Sequence, residues 1–71
     1  MKEKIRNSVK DYRKGAGLTQ EAIAKAMGVS RQTIISIERG KYIPSLPLAL
    51  KIARLFGCST DEMFQLEEDE K

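Results

Sequence analysis

Residues 19–40 read TQEAIAKAMGVSRQTIISIERG, and the placing of small, glycine and apolar residues in this stretch decides the fold. Thr19 and Ser30 each stand where a side-chain oxygen can cap a helix, accepting a hydrogen bond from a backbone N–H two or three residues on. Gly28 supplies the positive φ that ends the first of these helices. Ala24 carries a side chain no larger than a methyl, so the second helix can cross close to it. Ile34 and Ile37, one turn apart, then face inward. The stretch is predicted to be two short helices joined by a tight turn, over 20–27 with Ile23, Ala24 and Met27 inward, and over 31–39.

The same logic extends outward. KEKIRN at 2–7 alternates polar residues around Ile5 and can extend as a short edge strand. Ser8 followed by Asp11 resembles a helix cap with an acid in the first turn, which predicts a helix over 8–14 burying Val9 and Tyr12 and stopped by Gly15 and Gly17. After the loop 41–44, Ser45 is placed to cap a fourth helix over 46–56, with Pro47 in the first turn where its missing N–H costs nothing. That helix is read with Leu46, Ala49, Leu50, Ile52, Ala53 and Phe56 on its apolar stripe. Leu48 and Leu55 are surplus to one stripe and either widen it or reach a partner. Ser59 to Glu62 spells a capping box that opens a short fifth helix carrying Met63 and Phe64, and 67–71, EEDEK, is a solvated acidic tail.

Seventy-one residues make a single domain, 1–71, whose core must be compact and largely helical to be stable. No window approaches the length of uninterrupted apolar sequence that a membrane span requires, and no signal-peptide core follows Met1, so a cytoplasmic protein without a membrane partner is expected. One cysteine, Cys58, and no histidine exclude an internal disulfide and speak against a metal site or other cofactor. Cys58 reads as a small residue in a helix connection. Residues 1–57 hold 12 Lys/Arg against 4 Asp/Glu, a charge of +8, whereas 58–71 hold 1 against 6, or −5. A basic body suits a polyanionic partner, because Lys and Arg that neutralise phosphates release condensed counterions.

The ordered run G17-L18-T19-Q20, A24, G28-V29-S30-R31-Q32-T33-I34, I37-E38-R39-G40-K41 and P44-S45-L46 resembles the Cro/C1-type (XRE-like) helix-turn-helix transcriptional regulators over residues 8–66. The resemblance implies an all-α, compact five-helix, lambda-repressor-like domain, to which a short pairing of terminal strands can be added. It also implies a double-stranded DNA partner, with the N-terminal end of the 31–39 helix entering the major groove.

Gln32 can donate and accept through one planar amide, matching N6 and N7 of adenine, and Arg31 can offer two donors to O6 and N7 of guanine. Family resemblance places the base-contacting positions on Arg31, Gln32 and Ser36. Arg31 can equally serve a phosphate, and Ile35 is either a plain surface residue or a contact to a thymine methyl. Thr19 and Gln20 lie at a helix start, where free N–H groups and the dipole attract an anion. In similar proteins the residue matching Gln20 contacts the backbone and steadies the first recognition-helix residues, here Arg31 or Gln32. Ser30, Thr33, Arg39 and Lys41 complete the phosphate candidates. Arg13 and Glu38 match a family pair that fixes one helix against another. Regulators of this class usually bind as dimers, and Leu55, Phe64, Leu66 and Ile5 are the apolar residues left for a two-fold interface or for the monomer core.

With no histidine, no base beside the one cysteine and no paired carboxylates at a cleft, an enzyme is not expected. The rivals are other uses of the same fold: an antitoxin, or a protein-interaction module that reads no DNA. The exposed set Arg31, Gln32 and Ser36 argues against the second, and no segment long enough to occlude a toxin is evident. With no additional sensing domain, no small-molecule ligand is expected. A lone binding domain can occlude a promoter, which favours repression.

Overall fold

The structure, a computed structural model, describes residues 4–67. In chain order it comprises β1 (Lys4–Asn7), α1 (Val9–Gly15), α2 (Gln20–Met27), α3 (Arg31–Glu38), α4 (Leu46–Leu55), α5 (Thr60–Met63) and β2 (Phe64–Glu67). The two strands pair antiparallel, Ile5 opposite Leu66 and Asn7 opposite Phe64, so the two ends of the described segment close on each other. The fold is thus five helices extended by a two-stranded sheet. Residues 2, 3 and 68–71, which the sequence reading assigned to the edge strand and the acidic tail, lie outside the described residues; Glu67 itself belongs to β2.

Four helix starts are set by hydroxyl caps. Thr19 accepts from Ala22 N, Ser30 from Thr33 N, Ser45 from Leu48 N and Ser59 from Glu62 N, the last completed as a reciprocal box by the Glu62 side chain. The first helix departs from this. Ser8 makes no side-chain cap bond; instead the Asn7 Oδ1 accepts from Val9 N at 3.1 Å while its Nδ2 donates to the Ile37 carbonyl at 2.9 Å. One amide therefore caps α1 and anchors it to the end of α3. Gly28 adopts φ +75° at the α2 C-cap with open space around its absent Cβ. Gly28→Ala should cost about 1–2 kcal/mol from backbone strain alone, lowering the melting temperature by several degrees. A scanning-calorimetry trace unchanged from the parent would contradict this.

The core has two lobes. Val9, Ile37, Ile52, Ala53 and Met63 form one, Ile23, Ala24 and Ile34 the other, and the half-buried Met27 and Phe56 pack against both. Tyr12 stacks obliquely on Phe56, with ring centroids 5.8 Å apart, and Cys58 packs on the first lobe as a half-buried free thiol. Ile34 and Ile37 are fully buried, so α3 is held from beneath by both lobes and its outer surface stays free.

Two expectations are corrected. In α4 the inward stripe is Leu48, Ala49, Ile52 and Ala53, joined at the C-cap by Phe56, whereas Leu46 and Leu50 are 69% and 49% exposed. Positions 48, 49, 52 and 53 keep the helical i, i+4 relation, and 46 and 50 fall on its flank. Phe64 is not in the fifth helix: α5 is a single turn, and at Phe64 the backbone extends (φ −127°, ψ 132°) to pair with β1.

Candidate nucleic-acid interface

The outer surface of α3 is a ridge between two shallow depressions. One is lined by Ser30, Gln32, Thr33, Ser36, Lys41 and Tyr42. The other is lined by Lys10, Gln20, Arg31, Ile35, Glu38 and Arg39. Arg31 and Gln32, the first two residues of the helix, are exposed; Ile35 and Ser36, one turn on, are half-buried. The N-terminal turn thus projects furthest, and its two planar hydrogen-bonding side chains lie toward opposite sides of the ridge. Ser36 sits deeper, beside Gln32, and Ile35 lines the Arg31 side.

The hydroxyls around the helix are committed to capping. Ser30 Oγ accepts from Thr33 N at 3.1 Å and shares a 2.9 Å hydrogen bond with Thr33 Oγ1. Two hydroxyls sharing one bond leave one hydrogen for an incoming acceptor, which suits a phosphate oxygen. Thr19 Oγ1 accepts from Ala22 N at 3.0 Å, so its own hydrogen is likewise available. Arg39 and Lys41, both exposed, lie on either side of the ridge. Lys41 is held by its backbone, N–H donating to the Ser36 carbonyl at 2.9 Å. Cations in these positions can straddle a backbone running on each side of a groove.

Beneath the ridge, Arg13 clamps Glu38: Nε to Oε2 at 2.7 Å and Nη2 to Oε1 at 3.2 Å, with side chains only 12% and 4% exposed. The Arg13 Nη1 donates onward to the Leu18 carbonyl at 3.1 Å. The Gln20 Nε2 also donates to Glu38 Oε1, at 3.0 Å. This departs from the expectation that Gln20 steadies Arg31 or Gln32. The carboxylate has acceptor capacity for three donors, and with two from Arg13 it takes Gln20 as the third. Gln20 still lines a depression with Arg31; its second Nε2 hydrogen is what remains for a phosphate. Arg13, Gln20 and Glu38 therefore lock α1, α2 and α3 into one frame.

That frame titrates. Burial pushes the Glu38 carboxyl up, but hydrogen bonds from Arg13 and Gln20 and the positive charges of Arg13 and Lys10 outweigh it, and the group lies below its ordinary value of 4.5. A carboxyl whose folded pKa is depressed contributes stability that is present above its unfolded value and lost as pH falls through the folded one. The melting temperature should therefore fall as pH is lowered below about 4.5. Part of that slope should disappear in Glu38→Gln, and an identical slope in the variant would contradict the assignment.

Two residues at this surface escaped the sequence reading. Tyr42 lines the Gln32 depression at 47% exposure, and Lys10 of α1 lines the Arg31 one. An aromatic residue directly after Lys41 was the available signal for the first. Lys10 reaches the surface only because α1 packs against α3. Of the four residues read as a two-fold interface or as monomer core, Ile5, Phe64 and Leu66 line one shallow depression at the sheet end, and Leu55 lies on α4. Ile5 and Phe64 are half-buried and Phe64 packs on the core, while Leu55 and Leu66 are 41% and 60% exposed.

Comparison with known proteins fits this geometry. The model of the helix-turn-helix family of Cro/C1-type regulators matches residues 9–63. The chain belongs to that family. It is 56% identical over 66 residues to a helix-turn-helix-type transcriptional regulator of Methanocaldococcus jannaschii, covering 93% of this chain and all of the relative. It is 31% identical over 68 residues to a cryptic-phage transcriptional repressor, RstR, of Vibrio cholerae, covering 92% of this chain and 61% of that protein. Among solved structures, the restriction-modification controller protein C.AhdI of Aeromonas hydrophila superposes with a TM-score of 0.69 at 31% identity, over 76% of this chain and 82% of that one. The family's members are transcriptional regulators, not enzymes. Among the described residues, no helix is long and apolar enough to cross a membrane.

Proposed function

We propose that this helix-turn-helix chain binds double-stranded DNA sequence-specifically, lays α3 in the major groove and represses transcription from the site it covers. The observation that carries the reading is the exposed first turn of α3. Arg31 and Gln32 stand at the tip of a helix buried on its other side through Ile34 and Ile37, with cations on both flanks. Gln32 serves as the adenine reader, Arg31 reads guanine or holds a phosphate, Ser36 reads further along the groove, and Ile35 meets a thymine methyl. Thr19, Gln20, Ser30, Thr33, Arg39 and Lys41 position the helix through phosphates, joined in this reading by Lys10, which lines the Arg31 depression. Repression is supported by the resemblance to a phage repressor and by the ease with which a bound domain occludes a promoter.

A helix of eight residues spans only a few base pairs, so useful specificity calls for two copies. The reading is therefore a homodimer on an approximate palindrome with half-sites about 34 Å, one helical turn, apart. Selection from a pool of random duplexes, with sequencing of the bound fraction, tests it. An enriched palindrome of that spacing is the expected result. Binding without enrichment that vanishes steeply with salt would leave only phosphate contacts and put the interaction-module reading ahead.

A further inference from the structure

We propose that Asn7, in the terminal sheet, is a positioning residue for DNA readout: its side-chain amide sets the orientation of α3 by holding the Ile37 carbonyl at the rear of that helix. The inference rests on the reading above, in which the first turn of α3 meets the bases, and it names a residue outside the helix-turn-helix that controls where that turn lies.

The amide can sit only one way round. Its Nδ2 donates to the Ile37 carbonyl at 2.9 Å, and its Oδ1 accepts from the Val9 N–H at 3.1 Å. Both partners are backbone groups of fixed polarity, so donor and acceptor cannot exchange. An aspartate or a serine could also cap α1, but a carboxylate has no donor for Ile37 and a hydroxyl is one atom shorter. Asn7 is itself held in place. It pairs with Phe64 across the strands, and its neighbour Ser8 donates its N–H to the Met63 carbonyl at 2.9 Å.

The anchor acts on a short lever. Gln32 lies five residues ahead of Ile37 in α3, about 7.5 Å at the helical rise, so a tilt at the rear displaces the reading turn. Ile34 and Ile37 are buried beneath the helix, but apolar contact is non-directional and opposes rolling less than lifting. Hydrogen bonds are directional. Two successive residues at the rear of α3 take them from different elements: Ile37 from β1 through Asn7, and Glu38 from α1 and α2 through Arg13 and Gln20. A helix held at one such point can swing about it, and a second point on another element stops the swing. The Ile37 carbonyl also accepts from the Gly40 N–H at 2.9 Å. Losing Asn7 therefore leaves it with a partner, and the cost falls on orientation more than on stability.

The test compares three variants of the full chain. Asn7→Ser keeps an oxygen to cap α1 and removes the donor to Ile37, and Asn7→Asp keeps the shape and the cap but sets an oxygen against the Ile37 carbonyl. Ser45→Ala removes the α4 cap and serves as a variant weakened elsewhere. Circular-dichroism melts verify that all three fold, and binding is measured well below their midpoints. On the duplex enriched by selection, Asn7→Ser should lose about tenfold in affinity, the scale of one spoiled bidentate contact, and Asn7→Asp at least as much. On a scrambled duplex both should match the parent, with the same salt slope, and Ser45→Ala should match it on both duplexes. Without DNA, residual dipolar couplings of the α3 N–H groups, aligned on α2 and α4, should depart from the parent in Asn7→Ser and not in Ser45→Ala. Parent-like α3 couplings in Asn7→Ser would overturn the proposal. So would parent-like affinity of both Asn7 variants for the selected duplex, an equal loss on the two duplexes, or a Ser45→Ala protein that loses as much. A parent that does not distinguish selected from scrambled duplex would fail the DNA reading, while the couplings still decide whether Asn7 sets α3.

Discussion

Glu38→Ala is expected to remove about 3 kcal/mol of stability, at the lower end of the cost of breaking a buried pair because Arg13 keeps some access to water. For a domain of this length, whose total stability is of order 4–10 kcal/mol, that is a large share. Truncation leaves the Arg13 guanidinium, 12% exposed, without its carboxylate and also strands the Gln20 amide. The double replacement Arg13→Met/Glu38→Leu should cost clearly less than Glu38→Ala alone, since no charge is then left behind. Urea titrations of the three proteins measure this through their midpoints. A double variant less stable than the single one would mean that the pair contributes through its attraction rather than through the cost of separating it. Because the same carboxylate ties α3 to α1 and α2, the single variant should also bind duplex more weakly under conditions where it remains folded.

Gln32→Ala should act in the opposite domain, on recognition without stability. The side chain is exposed, makes no hydrogen bond to the rest of the protein among the described residues and lies outside the core. Losing a bidentate base contact costs about 1–3 kcal/mol of discrimination per site. With one such contact in each half-site of a palindrome, specific affinity should fall on the order of a hundredfold, and the preference at one base pair in each half should flatten. The dependence of binding on salt should not change, because no charge is removed. Lys41→Ala supplies the contrast: a roughly uniform loss across sequences and a salt slope reduced by about one. Anisotropy titrations at several salt concentrations separate the two, and a Gln32→Ala protein with unaltered base preference would remove Gln32 from the readout.

The local signals in the chain were readable without coordinates and the long-range ones were not. Thr19, Ser30, Ser45 and Ser59 bond to N–H groups three residues on, so their roles follow from short spacing alone. Asn7 was misread in favour of Ser8, because the second half of its amide reaches the Ile37 carbonyl, 30 residues away. In α4 the segment LPLALKIARL is apolar at so many positions that periodicity allows more than one stripe. Only contact with Val9, Ile37 and Met63 selects Leu48 for the core and leaves Leu46 and Leu50 outside. Gln20 reads from the sequence as a helix-start residue turned toward phosphate, but its choice of Glu38 depends on a carboxylate 18 residues on that Arg13 does not saturate. Lys10 and Tyr42 join the readout surface only through packing, from the helix before the motif and the loop after it.

The central claim is that α3 reads base edges in the major groove, and duplexes altered one atom at a time test it most directly. Replacing the preferred purine in each half-site with its 7-deaza analogue removes N7, an acceptor found only in the major groove, while inosine for guanine removes only the minor-groove amino group. Affinity should fall about tenfold or more per 7-deaza substitution and stay unchanged with inosine. Loss with inosine and none with 7-deaza would contradict the account.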